Sequence, residues 1–587
     1  MDQQTKNCQN CKQDFVIEPE DFQFYEKMKV PAPTWCPGCR LKRRLAWVNY
    51  RTLYSRPVEG KPMISMYAPD KQYNIVEDRK WWGDDFDLTD YGKEYDFSKP
   101  FFQQYNDLLT RVPLPHLQRG YSSFENSDYC NAAHNLKNCY LVFGADNSEN
   151  VAYASGIVES KDCMDIAFAN KSELSYECFT VVQCYRCFYC QDVENSSDMI
   201  FSQDCVGCNN CIGCFGLRNK SYYIFNESYS KEEYHQKLKE FNIGSFEGIE
   251  KLRQDAERFF LLQPHKFMHG RSNTDVSGDY MYHSKNVHNA VKVDHVEDCK
   301  YVFSLQYFKG GTVNAYDYSW FGCNAELVYE SAWCGLGINN IRFSVWNYFA
   351  TDLQYCYGCH YSQSMFGCVG LRKKKYCILN KQYTKEEYEA LVPKIIQHMS
   401  EMPYVDKRGI EYRYGEFFPI ELSPFDYNET MAGEFLPQTK QEVEKIGHRW
   451  HEPTERTLNP EISWKELPNN INDAVDDLVG KLISCRAFEE DEARAMEHNC
   501  TKVFKLTTQE LSFYRKLGLS LPRLCFNSRH HERVRRLNLA NLYNRTCMCD
   551  KNHPNHSGNC PNTFQTTYAP DHKEIVYCEQ CYQTEII

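Results

Sequence analysis

The sequence predicts a mainly β chain with α-helical additions. A duplicated β-solenoid-like repeat core with helical caps is flanked by small cysteine-organised modules. Three observations predict it. Short β-rich strands followed by Asn, Asp, Ser or Gly recur about every 11–12 residues through 126–226, as in CYLVFG at 139–144 and SYECFT at 175–180. The stretch GCFGLRNKSYYIFNESYSKEEY at 213–234 returns as GCVGLRKKKYCILNKQYTKEEY at 367–388. The 30 cysteines divide into 18 spread through 120–380 and 12 outside, mostly in compact pairs near the two ends.

The 587 residues exceed one ordinary core, so several domains are expected. No run of eighteen apolar residues occurs and no charged-then-apolar leader opens the chain, which predicts a cytoplasmic protein with no membrane span. In that compartment the cysteines read as thiols and metal thiolates, not disulfides. The net charge of −12 argues against wrapping by nucleic acid over the whole surface and leaves room for local basic patches.

At the N-terminus, Cys8, Cys11, Cys36 and Cys39 have the C-x2-C…C-x2-C spacing by which two tight turns close four thiolates around one zinc ion. Leu41, Leu45 and Val48 then fall at helical spacing, so the second pair opens a helix, as in a treble clef. The frame returns near the C-terminus. Phe15, Tyr25, Pro33 and Cys36 stand at the same offsets from Cys11 as Phe504, Tyr514, Pro522 and Cys525 from Cys500. Glu497 and Ser528 take the places of Cys8 and Cys39. This copy is therefore expected to be metal-free and held by packing, with His498, His530 or Glu497 as rescuing ligands if it is not. A third cluster closes the chain: Cys560, Cys578 and Cys581, with Cys547 or Cys549 as the fourth ligand and His553 and His556 as outside choices.

These terminal segments resemble the small "probable zinc-binding domain" treble-clef modules found in uncharacterised bacterial proteins with a Cys/Tyr-rich repeat middle. Cys8, Cys11, Phe15, Phe24, Tyr25, Pro33, Cys36, Cys39 and Arg40 match the family's C-x2-C-x3-F…FY…P-x2-C-x2-C-R pattern in full; residues 497–546 match it in part. TTYAPDHKEIVYCEQCYQTE resembles the C-terminal zinc ribbon of the same proteins. The resemblance implies zinc binding and no particular reaction.

The chain thus divides into a treble-clef module (1–60), an extended aromatic and acidic segment (61–119), solenoid block one (120–226), a helical insert (227–265) and solenoid block two (266–380). A helix (381–402), an irregular segment with a short helix (403–480), the degenerate module (481–546) and the ribbon (547–587) follow. Stacked units bury what one cannot. Both blocks leave β structure through a capping box, Ser230 with Glu233 and Thr384 with Glu387, and Thr439 with Glu442 forms another.

Within block one, Cys205, Cys208, Cys211 and Cys214 resemble a ferredoxin run. A regular strand sends residues three apart to opposite faces, so the expectation is small core side chains, with a metal site or a redox role for Cys184–Cys214 as the alternative. Asp162, Asp165, Asp192, Asp198 and Asp204 serve tight turns or, in a carbohydrate-active groove, carboxylate pairs. His134, His283 and His288 stand isolated, and no phosphate loop, nucleophile elbow or H-E-x-x-H is present. The expected function is a non-enzymatic zinc-binding scaffold for a macromolecule, with about two zinc ions and no iron. Its partner is protein or RNA/DNA, the nucleic acid gripped by Arg40, Lys42, Arg43, Arg44, Arg529, Arg533, Arg535 and Arg536.

Overall fold

A computed structural model describes residues 2–84, 87–120, 123–305, 312–313, 315–320, 325, 328–452, 458–536 and 541–586. Its architecture mixes α and β, with a large parallel sheet in the middle of the chain.

The first parallel array has a period of three residues inside a period of twelve. Each strand pairs with the segment twelve residues on: His134 with Asp146, Tyr140 with Ala152, Gln191 with Gln203. Every third residue adopts a left-handed conformation, as at Asn135, Asn138, Leu141, Asn147, Asn150 and Tyr153. That turn redirects the chain, so the residue after each one points inward. Cys130, Ala133, Leu136, Cys139, Val142 and Ala145 begin this buried file, which continues in threes through Cys214. The expectation of alternating faces is corrected here: a left-handed residue in every triplet replaces the two-residue pleat. Asn and Asp suit those positions because they tolerate positive φ and bond to neighbours. Asn126 donates to Asn138, Asn138 to Asn150 and Asn150 to Asp162 at 3.1, 3.1 and 2.8 Å, a polar ladder along one outer edge.

The second array belongs to a 13-stranded sheet. Its early pairings are irregular, eleven residues apart at Thr274–Lys285 and thirteen at Ala315–Val328. From Asn339 the twelve-residue register is regular, through Thr351, Gln363 and Lys375. Each array ends in a short antiparallel turn and a helix. The helices Lys231–Glu240 and Lys385–Glu401 open on the capping boxes at Ser230 and Thr384. The arrays meet through aromatic rings: Phe168 of the first lies 5.6 Å from Trp320 of the second, which itself packs on Trp333 of its own array.

Residues 61–119 are less extended than the sequence suggests. They include a helix, Phe101–Arg111, burying Phe101, Phe102, Tyr105, Leu108 and Leu109. Those positions recur at helical spacing and pack on the second array, where Phe101 meets Phe366 at 5.3 Å.

The N-terminal module is the hairpin Gln4–Asn7/Asp14–Ile17 with the helices Pro19–Lys27 and Pro37–Leu45. Residues 483–534 repeat the plan with the strands Ile483–Ser484 and Val503–Phe504 and the helices Thr508–Leu517 and Phe526–Val534, so the boundary expected after 546 falls earlier, before the hairpin strand at 543. The chain closes with the hairpin Tyr543–Thr546/Thr563–Thr566, the strand Ile575–Tyr577 and the helix Glu579–Ile586. That strand pairs in parallel with Pro264–Lys266, tying the C-terminal unit to the start of the second array.

Candidate metal centres

At the N-terminal centre the hairpin brings Cys8 and Cys11 to the start of the helix Pro37–Leu45, where Cys36 is the N-cap and Cys39 lies in the first turn. All four sulfurs lie within 4.8 Å of one another. Cys11 and Cys36 Sγ are 3.7 Å apart, and Cys36 N donates to Cys8 Sγ at 3.2 Å. Four sulfurs about 2.3 Å from a tetrahedral metal stand about 3.8 Å apart, so the cluster has the dimensions of a metal shell. Hydrogen bonds from the Cys36 and Cys39 thiols hold the Cys8 thiol far below its ordinary value. A metal here would be held by the four thiolates, with the Cys36 backbone N–H donating to the Cys8 sulfur.

The C-terminal centre reproduces these contacts. Cys547, Cys560, Cys578 and Cys581 are buried with their sulfurs within 4.8 Å. Cys578 N donates to Cys547 Sγ at 3.2 Å, and Cys560 and Cys578 Sγ are 3.9 Å apart. Cys547 therefore occupies the place of Cys8. Cys549 is not part of that tetrad and instead forms a second group with His553, His556 and Cys581. His553 Nε2 is 3.1 Å from Cys549 Sγ and His556 Nε2 is 3.1 Å from Cys581 Sγ, so Cys581 is common to both groups.

In the middle module Cys485, Cys500 and Cys525 also lie within 4.8 Å. Cys485 stands outside any short C-x2-C spacing with Cys500, so the sequence alone does not announce it.

The Cys205, Cys208, Cys211 and Cys214 side chains all point inward on one turn of the first array and are at most 1% exposed. Each sulfur donates to the carbonyls of the residues two before and nine after it where both bonds form, as Cys205 does to Gln203 and Cys214 at 3.3 and 3.7 Å. They are not among the groups whose ligand atoms all lie within 4.8 Å. The file is packed core with carbonyl acceptors, and the same bonding pattern holds at Cys184 and Cys187.

The basic helices turn inward. Arg40 donates to Asp317 at 2.7 Å, and Arg43 donates to Glu416 and Glu330 at 2.8 Å each. Arg44 lies 3.6 Å from Asp317. In the middle module Arg529 and Arg533 reach Asp165 at 3.0 and 3.2 Å, and Arg533 also reaches Glu177 at 2.8 Å. All five arginines are at most 4% exposed, so the expected phosphate grip is corrected for them: charges held inside by array carboxylates are not free for a nucleic acid. Lys42 is half-buried, and Arg535 and Arg536 remain exposed. The charge count legible in the sequence carried no sign of which face each arginine takes.

A cavity of about 470 Å³ lies between the two arrays and the C-terminal unit, lined by Phe168, Asp192, Asp204, His269, Lys292 and Tyr568 among others. His269 Nδ1 is 3.0 Å from Asp279 and its Nε2 is 3.8 Å from Asp192. Burial opposes the His269 charge, but Asp279 and Asp192 outweigh it and raise the imidazole to about 9. Burial pushes Asp192 up to about 6, against the pull of His269. Lys292 is half-buried, and its Nζ lies buried beneath the Phe168 ring without a hydrogen-bond partner among the described residues; burial presses the amine well below its ordinary value.

Asp162, Asp165, Asp192, Asp198 and Asp204 all occupy left-handed corners. Asp162 joins the ladder, Asp165 takes the two arginines and Asp198 pairs with Arg186 at 3.1 Å; Asp192 and Asp204 alone among them line the cavity. His134 is half-buried beside Tyr348, His283 groups with Asp294 and His295, and His288 meets Asn286. No helix is long and apolar enough to cross a membrane among the described residues. In comparisons with known proteins, no family model and no curated protein matches this chain.

Proposed function

We propose that the chain is a zinc-binding scaffold: a duplicated β-solenoid clamped by treble-clef and ribbon modules. Zinc sits in closed shells at Cys8, Cys11, Cys36 and Cys39 and at Cys547, Cys560, Cys578 and Cys581. The observation that carries the reading is the continuity of cysteine, helix and array. The helix that Cys36 caps sends Arg40 and Arg43 into buried carboxylates of the second array. A closed four-thiolate shell leaves no coordination position for a substrate, so these ions brace the fold and do no chemistry. Their helices are struts, and recognition of a macromolecular partner falls to the outer faces of the solenoid. There Phe349 and Tyr361 stack at 5.0 Å with about half of each ring exposed.

Elemental analysis of the purified full chain tests this, with sulfur-bound zinc expected and none detected overturning it. Titration with duplex DNA and RNA at low salt is expected to show no dependence on Arg43 or Arg529 beyond loss of folding.

A second reading has its own observation. Asp192, Asp204 and His269 converge on the cavity between the arrays beside the rings of Phe168 and Tyr568, the setting for a polar ring-bearing ligand or for acid–base work on a carbohydrate. A thermal-shift screen of oligosaccharides tests it. Stabilisation that disappears in Asp192→Asn supports the reading, and no shift with any of them removes it.

A further inference from the structure

The middle module repeats the geometry of the terminal centres from a different set of positions. Counted from Cys500, the N-terminal frame places Glu497 and Ser528 where thiolates are needed. The fold restores one of the two. The strand Ile483–Ser484 pairs antiparallel with Val503–Phe504 and delivers Cys485 to the corner that Cys8 fills in the first module. The helices Arg486–Glu490 and Glu492–Glu497 lie between it and Cys500, which is why no short spacing announces it.

Three contacts establish the equivalence. Cys525 N donates to Cys485 Sγ at 3.2 Å, matching Cys36 to Cys8 and Cys578 to Cys547, both also 3.2 Å. Cys500 and Cys525 Sγ are 3.6 Å apart, against 3.7 Å for Cys11 and Cys36 and 3.9 Å for Cys560 and Cys578. Cys525 is the N-cap of Phe526–Val534 as Cys36 is of Pro37–Leu45. All three sulfurs are buried and mutually within 4.8 Å.

The fourth corner differs. Ser528 Oγ stands 3.2 Å from Cys525 Sγ and 3.7 Å from Cys485 Sγ, where the other modules place Cys39 and Cys581. His498 Nε2 is 3.0 Å from that oxygen and half-buried, its ring stacked on His531 at 4.4 Å. A serine hydroxyl is a weak ligand for zinc, so this corner is not closed by a thiolate.

We propose that Cys485, Cys500 and Cys525 hold a further zinc ion through three thiolates, with an exchangeable water in the fourth position hydrogen-bonded by Ser528 and His498. The two terminal shells are complete, whereas this one keeps a place for a small exogenous ligand such as an anion or a free thiol. Open fourth positions of this kind are where zinc meets a ligand other than its protein. The inference rests on the zinc reading of the terminal shells, but none of its ligands belongs to them, so its ion can be counted separately.

The test uses the full chain. Zinc content is compared between wild type and Cys485→Ser, with the loss of one equivalent expected. Cys36→Ser serves as a separate variant that reports the N-terminal shell alone. Cobalt then replaces zinc, and azide is added as the probe of the open position. A shift of the visible bands is expected in wild type. Ser528→Cys closes the shell and covers the case in which Cys485→Ser fails to fold; it keeps the wild-type metal count, releases metal to a chelator more slowly and loses the azide response. Equal zinc in wild type and a folded Cys485→Ser overturns the proposal. So does a Ser528→Cys variant with an unchanged release rate and azide response.

Discussion

Arg43→Ala removes the most heavily bonded strut between the N-terminal module and the second array. The side chain is fully buried and makes three hydrogen bonds, to Glu416 at 2.8 Å and to the two oxygens of Glu330 at 2.8 and 3.0 Å. Its guanidinium also lies 4.2 Å from the centre of the Trp35 ring. Alanine leaves two carboxylates in the interior. Glu416 keeps the Thr34 backbone N–H at 3.3 Å and the Thr34 hydroxyl, and Glu330 keeps Arg40 at 3.6 Å and the nearby charge of Arg44. Breaking a buried pair from one side costs about 3–5 kcal/mol, because the abandoned charge stays desolvated. The ring contact adds about 1 kcal/mol. Equilibrium urea unfolding of the full chain, followed by tryptophan fluorescence, should show the first transition moved to lower urea by an amount worth about 4–6 kcal/mol. Arg535→Ala is the control. Arg535 is exposed and, as the C-cap of the helix Phe526–Val534, pairs with Glu532 at 2.5 Å, so its loss should cost less than about 1 kcal/mol. Equal effects of the two substitutions would refute the strut. So would an Arg43→Ala protein of wild-type stability that had lost affinity for nucleic acid.

Other expectations follow from the same geometry. Cys547→Ser should release one zinc equivalent while Cys549→Ser keeps that ion, as read by metal analysis; the reverse order would move the ligand assignment to the second group. His269 is raised from 6.5 to about 9 by its acidic neighbours. Its charge therefore adds stability that is complete below about pH 6.5 and is lost as pH rises through 9, at most about 3 kcal/mol. His269→Gln should flatten that decline in a pH series of unfolding midpoints, and an unchanged slope would contradict the pairing. Cys208→Leu should destabilise by about 1–3 kcal/mol through overpacking of a file of small side chains, read by thermal unfolding, with no loss of bound metal.

Much of the architecture was legible because repetition survives in residue type. The twelve-residue register, the duplicated ends of the arrays and the three capping boxes at Ser230, Thr384 and Thr439 are visible as recurring letters. The triplet was not. It is present in the sequence as apolar residues three apart, from Cys130 through Ala133, Leu136 and Cys139. Strand habits suggest a period of two, and only the left-handed residue in each triplet makes three the natural unit. The N-terminal tetrad was legible because paired turns impose short spacings, while the C-terminal one left Cys547 and Cys549 open until the hairpin placed Cys547 with Cys560, Cys578 and Cys581. Cys485 was hidden because a β pairing, not a turn, brings it to Cys500 and Cys525. The arginines misled for a related reason. A run such as RLKRR states charge, while the carboxylates that claim it, Asp317, Glu330 and Glu416, lie hundreds of residues away.

Crystals of the full chain measured on both sides of the zinc absorption edge test the central claim most directly. The account predicts anomalous peaks among the sulfurs of Cys8, Cys11, Cys36 and Cys39 and of Cys547, Cys560, Cys578 and Cys581, each about 2.3 Å from four sulfurs. Well-ordered density for both tetrads with no peak at either would contradict it.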